Sequence, residues 1–111
     1  MYRSILGLAF TILAVPATAG TPQGVWASNP AHCSGPYPET QVRIAGDTIS
    51  FIETSCKLDN PTTLRGIPQA KLYDVTCSGE GETWSKRVFI GTDGDGLLIY
   101  SDGGASRYQG C

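Results

Sequence analysis

Four cysteines, Cys33, Cys56, Cys77 and Cys111, punctuate a chain of 111 residues at intervals of 23, 21 and 34. Spacing this wide does not suit zinc, which favours close Cys-x-x-Cys pairs. An even number of cysteines in a small exported chain reads instead as a disulfide framework. Two bridges are therefore expected, with no metal site and no cofactor.

The start of the chain supplies the exported context. Met1-Tyr2-Arg3 is a short positive opening, Ile5 to Val15 is almost wholly apolar, and Ala17-Thr18-Ala19 has the small residues that signal peptidase reads. The apolar run is about eleven residues against the roughly 20 that a membrane-spanning helix needs. The expectation is a signal peptide over 1–19, a single disulfide-stabilised β domain over 20–111, and residence in the periplasm or full secretion, with no membrane span after cleavage. Removing 19 of the 111 residues leaves 92 and takes away Arg3, so seven Lys and Arg face ten Asp and Glu. That acidic balance argues against a nucleic-acid partner.

A domain of this size buries a small share of its surface, and cross-links are the usual remedy. After Gly20 no ten-residue stretch has helical spacing of apolar positions. Short runs rich in β-branched and aromatic residues alternate instead with Gly, Asp, Ser and Asn. The predicted strands are Gly24–Ala27, Gln41–Ala45, Thr48–Thr54, Gln69–Cys77, Thr83–Gly91, Leu97–Ser101 and a short last one at Ser106–Gly110. Gly46-Asp47 has the form of a two-residue hairpin turn, and Ser78-Gly79-Glu80-Gly81, Asp93-Gly94-Asp95-Gly96 and Asp102-Gly103-Gly104 mark three more. Lys57 to Pro68, with Asn60, Pro61 and Pro68, reads as an irregular connection. The fold class is all-β: an antiparallel meander curled into a small barrel or a sandwich, both of which limit open sheet edges.

The meander bears on the disulfides. Cys33 before one strand and Cys56 after the next lie at the open end of one predicted hairpin, so Cys33–Cys56 is the expected bridge, which leaves Cys77–Cys111. Cys33–Cys111 with Cys56–Cys77 also suits a closed barrel.

Catalytic signals are sparse, and no catalytic residue is assigned. His32, the one histidine, lies in a Pro- and Gly-rich loop without a nucleophile in recognisable context. Glu80, Glu82, Asp93, Asp95 and Asp102 belong to turns, where Asp and Gly are wanted for backbone reasons. Asp93-x-Asp95-Gly96 lacks the downstream acidic ligand of a calcium loop.

Two places have the composition of a binding site. Period-two alternation sets Ile49, Phe51 and Glu53 on one face; if that face is the core, Glu53 points inward and needs a cation from Arg43, Arg87 or Arg107. Trp84, edged by Lys86 and Arg87 in a polar stretch, has the make-up of an interface anchor. Most of the other aromatic residues are expected in the core.

Gly24-Val25-Trp26 resembles the Gly-x-Trp that opens lipocalins and related barrels. The resemblance implies that Trp26 closes the barrel base under an arginine from near the last strand, here Arg107. The early Gly-x-Trp followed by Cys33 and Cys56 is also similar to bacterial lipocalin-like metalloprotease inhibitors, in which two such cysteines form the single bridge. Glu53 before Cys56, the run Cys77 to Trp84 and the terminal cysteine look like small exported proteobacterial proteins, a resemblance that brings no activity with it.

The function expected from these features is a small exported binding protein whose partner is another exported or periplasmic protein, with inhibition of a hydrolase as its sharpest form. The alternative is a carrier of a small apolar ligand, which needs a cavity of roughly 300 Å³ or more. An interior filled by Val42, Ile44, Phe51, Leu72, Val75, Val88 and Ile99 would leave no room for one. A hydrolase built on paired carboxylates is the third reading.

Overall fold

The computed structural model describes residues 21–36 and 38–111; the export signal read over 1–19, Gly20 and Tyr37 lie outside the described residues. Eight strands follow in order: β1 (Gly24–Ala27), β2 (Gln41–Ala45), β3 (Thr48–Ser50), β4 (Ser55–Leu64), β5 (Ile67–Gly79), β6 (Glu82–Asp93), β7 (Gly96–Ser101) and β8 (Gly104–Gly110). Each pairs antiparallel with the next, and β8 returns to β1, so the sheet closes into a barrel.

One end, here the upper rim, carries the β1–β2 loop, the 51–54 turn, the β5–β6 turn and the β7–β8 turn. The lower rim carries the start of β1, the Gly46-Asp47 turn, the tip of the long β4–β5 hairpin and the β6–β7 turn.

The interior follows from alternation. Val42 and Ile44 of β2, Ile49 of β3, Cys56 and Leu58 of β4, Tyr73, Val75 and Cys77 of β5, Val88 and Ile90 of β6, and Leu97 and Ile99 of β7 form one buried cluster. Successive side chains of a strand point to opposite faces, so these positions share the inner face. Full burial of an Ile or Leu such as Ile44, Ile90 or Leu97 contributes about 1.5–3 kcal/mol each. The outer face bears Arg43, Lys57, Asp74 and Arg87. Apolar inside and charged outside is the reverse of a barrel that spans a membrane with its strands. Among the described residues no helix is long and apolar enough to cross one.

Two parts of the predicted core lie elsewhere. Leu72 is half-buried on the outer face opposite Phe89, and Phe51 is 37% exposed at the rim. Tyr100 also faces out, 49% exposed. Trp26 packs against the core cluster, directly opposite Val42 and Gly110, with its indole N–H buried and without a hydrogen-bond partner among the described residues.

The disulfides are Cys33–Cys111 and Cys56–Cys77, and this corrects the expected Cys33–Cys56 and Cys77–Cys111 pairing. The hairpin argument failed because β3 ends at Ser50, where the Phe51 N–H donates to the Thr54 carbonyl at 2.7 Å and reverses the chain. Cys56 therefore lies inside β4, facing inward directly opposite Cys77 of β5. Cys33 ends a 3₁₀ turn at Pro30–Cys33, next to the seam where β8 meets β1 through only two residue pairs. There the Cys111 N–H donates to the Val25 carbonyl at 2.9 Å, and the bridge to Cys33 locks the shortest junction of the barrel.

The segment read as an irregular connection, Lys57 to Pro68, holds most of β4, the turn after it and the start of β5. Pro61 is accommodated because the register slips between Asp59 and Thr62, with Asn60 at φ +52°. A bulge of this kind is where a sheet tolerates proline.

Candidate functional site

The upper rim is where three of the four expected binding residues, Glu53, Trp84 and Lys86, lie. Counting along β6 from the Glu80-Gly81 turn, Trp84, Lys86, Val88 and Ile90 fall on the inner face, with Trp84 opposite Cys77 and Lys86 opposite Val75. Trp84 is half-buried and packs on the core cluster, so it forms part of the barrel wall as well as its rim. Below it a pocket of about 220 Å³ opens into the barrel. Its floor is Val88, Ile90 and Ile99, and its rim is Phe51, Thr54, Trp84, Lys86 and Ser101.

Lys86 is a cation on the inner face above an apolar pocket floor, and a charge in such a place needs a counter-charge. Asp102 supplies it from the β7–β8 turn at 2.9 Å, held there by a left-handed backbone at φ +55°. The lysine is thereby drawn to the rim and leaves the pocket floor apolar. Asp102 was read from the sequence only as a turn residue; its role follows from where β7 ends.

Arg87 does not join this group. One residue on from Lys86, it faces outward and donates to Asp74 at 3.0 Å. Asp74 also accepts from Asn60 at 2.9 Å, and these two contacts, Asn60 the stronger, hold its carboxyl below the usual range. Arg107 likewise lies on the outer face rather than over Trp26. It spreads across Gly96 and donates to the Asp93 carboxylate at 3.2 Å and to the Asp93 carbonyl at 3.1 Å, bracing the β6–β7 turn.

Glu53 is at the rim, but exposed, and among the described residues no arginine pairs with it. With β3 ending at Ser50, the alternation that would have turned Glu53 inward no longer applies. Its neighbour is Glu80, whose carboxyl hydrogen-bonds it and pushes the Glu53 carboxyl above the ordinary range, with a smaller contribution from burial. A hydrogen bond from a neighbouring carboxyl favours the protonated form of Glu53, which is why the shift is upward.

Outside the pocket, Ile52, Glu53, Gly79, Glu80 and Glu82 border a second depression of about 380 Å³, which shares Phe51, Thr54 and Trp84 with the first. Trp84 is the wall between the two. Phe51 and Ile52, at 37% and 55% exposure, present large apolar surface beside it. This pair was missed as a site, although adjacent large apolar residues break a period of two and so force one of them outward.

His32 is part of the loop scaffold. Its Nδ1 is 3.1 Å from the Thr40 hydroxyl, and its carbonyl accepts from the Gln41 amide at 2.7 Å. Among the described residues no group of three or more His, Cys, Asp or Glu side chains is arranged to hold a metal ion. In comparisons with protein families, curated proteins and solved structures, no family model, curated protein or solved structure matches the chain.

Proposed function

We propose that the protein is an exported binding module that grips a partner protein at the upper rim, taking one apolar side chain flanked by basic residues. The observation that carries this reading is the exposed Phe51-Ile52 pair standing beside half-buried Trp84 over an apolar pocket. Contiguous exposed apolar surface on a small domain is where partners bind. A half-buried tryptophan in a packed wall is the kind of residue that dominates such contacts.

The pocket volume of about 220 Å³ suits a side chain better than a drug-sized ligand, whose sites begin at roughly 300 Å³. The surrounding charge selects the partner: Glu53, Glu80 and Glu82 border the neighbouring depression across Trp84, while the pocket's one cation, Lys86, is already engaged by Asp102. Complementary charge sets partner choice and on-rate more than raw affinity. An exported hydrolase bearing such a basic, apolar loop is the partner class we favour, in the periplasm or outside the cell, where two disulfides persist.

The test is selection from a displayed peptide library. Binders should carry an aromatic or long aliphatic side chain next to Lys or Arg, weaken as salt rises, and lose at least about tenfold in affinity with Trp84→Ala, a loss of roughly 1.4 kcal/mol or more. Arg87→Ala, on the outer face, should leave binding unchanged. A library that yields no binder, or binders indifferent to Trp84→Ala, would overturn the proposal.

A further inference from the structure

The lower rim holds a further and larger cleft, which shares only Ile90 with the upper pocket. Its volume is about 550 Å³, within the range of small-molecule sites, and it lies between the β4–β5 hairpin, the inner face of β6 and Pro22 of the segment leading into β1. Its lining is largely apolar, with Leu64, Ala70 and Ile90 among its walls, and Lys71 is its one charged residue.

Lys71 is unusual among the lysines of this chain. Lys57 is paired with Asp47 and Asp59, and Lys86 with Asp102. No carboxylate among the described residues forms an ion pair with Lys71. It stands opposite Ile90 on β6 and Thr63 on β4, which puts it on the inner face of the barrel, half-buried. Thr92, two residues beyond Ile90, brings a hydroxyl to the same wall. Tyr73 is buried beneath, and its own hydroxyl is already engaged with Thr21 at 2.8 Å, pinning the start of the described chain across the cleft. An inward cation with no counter-charge, beside a hydroxyl and above apolar walls, is matched by one kind of ligand: an anionic head on an apolar body.

We infer that the lower cleft binds a small amphiphilic carboxylate, its head on Lys71 and its apolar chain running toward Ile90. Ile90 also lines the upper pocket, so it is the partition between the two sites. Binding below therefore needs nothing from Trp84.

Octanoate and octan-1-ol, of equal chain length and different head, are the probes. Each is titrated into ¹⁵N-labelled protein and followed through amide shifts, which also report that every variant is folded. Octanoate should bind at least about tenfold more tightly than octanol and move the amides of Lys71, Thr92 and Ile90. Lys71→Met should abolish the preference while retaining octanol binding, and Lys86→Met should leave the preference intact. Equal binding of the two probes, a preference that survives Lys71→Met, shifts centred on Trp84, or no binding of either probe would each overturn the inference.

Discussion

The backbone carbonyl of Glu53 lies against Gly79 so closely that no Cβ fits between them. The 51–54 turn is thus seated directly on the end of β5, and this contact sets the height of Phe51 and Ile52 above the upper pocket. Gly79 is not in the left-handed region, so alanine meets no backbone strain there and its effect is steric alone. Gly79→Ala should displace the turn, cost about 1–3 kcal/mol as an overpacking change, and weaken peptide binding at the upper rim while leaving octanoate binding at the lower one untouched. Urea denaturation and the two titrations check this; unchanged stability would show that the turn is not seated on β5.

The two disulfides should differ in weight. A bridge closing 78 residues removes more unfolded-chain entropy than one closing 21, about 4.5 against about 3.3 kcal/mol in the chain-entropy model. Cys33→Ser with Cys111→Ser should therefore destabilise more than Cys56→Ala with Cys77→Ala. The first pair also frees the short β1–β8 seam, so amide exchange should rise there first. Trypsin cuts after Arg43, Lys57, Lys71 and Arg107 separate all four cysteines, and non-reducing peptide masses should join Cys33 to Cys111 and Cys56 to Cys77.

Much of this architecture is legible in the residues themselves. Alternation in Gln41–Ala45 and in Thr83–Gly91 gives the inner face of β2 and β6, and the Gly-containing turns fall where hairpins need them, Gly46 and Gly81 with positive φ among them. The last strand and the limits of β5 and β6 come out short by a few residues at most, since strand ends depend on partners rather than on local pattern. β4 was hidden because Asn60 and Pro61 look like a loop, and only a cross-strand partner, β5, makes a bulge of them. That one omission also misdirected the cysteines, because Cys56 belongs to the strand that was not seen. At the candidate site, the composition around Trp84 and Lys86 singles them out, and both lie at the upper pocket. That Arg87 turns away from them follows from parity along β6. The Glu53–Glu80 contact was not readable, because it continues the β4–β5 register two steps past Ser55 opposite Ser78, and β4 was the strand that went unread.

Ile90 is 1% exposed and forms the partition between the upper and lower clefts. Truncating it to alanine should cost about 2–5 kcal/mol, the usual range for a buried isoleucine, toward the upper end because cavities already flank it on both sides. The variant should also let the two sites communicate, so that octanoate shifts the amides around Trp84 as well as those around Lys71. A loss below about 1 kcal/mol, the size expected of a site that collapses without a void, would show that the partition is not packed as described.

The carboxyls of Glu53 and Asp74 should respond to pH in opposite senses. Contact with Glu80 raises the Glu53 carboxyl, so the folded protein holds that proton more tightly than the unfolded chain does. The contribution of Glu53 is then fully present below its unfolded value and is lost as pH rises through the raised folded value. Asp74, lowered first by Asn60 and then by Arg87, contributes above its unfolded value and loses that contribution as pH falls through the lowered one. Carboxyl-carbon NMR titration should place Glu53 above and Asp74 below their ordinary ranges. Glu80→Gln puts an amide that can donate to the Glu53 carboxylate in place of the carboxyl, so it should bring the Glu53 midpoint down, while Asn60→Ala should bring that of Asp74 up. Because both groups are exposed, the accompanying changes in stability should be small and should shrink with added salt. A Glu53 midpoint unmoved by Glu80→Gln would mean that the two turns of the upper rim do not meet in solution, and the acidic border proposed to select a basic partner would then be open at that point.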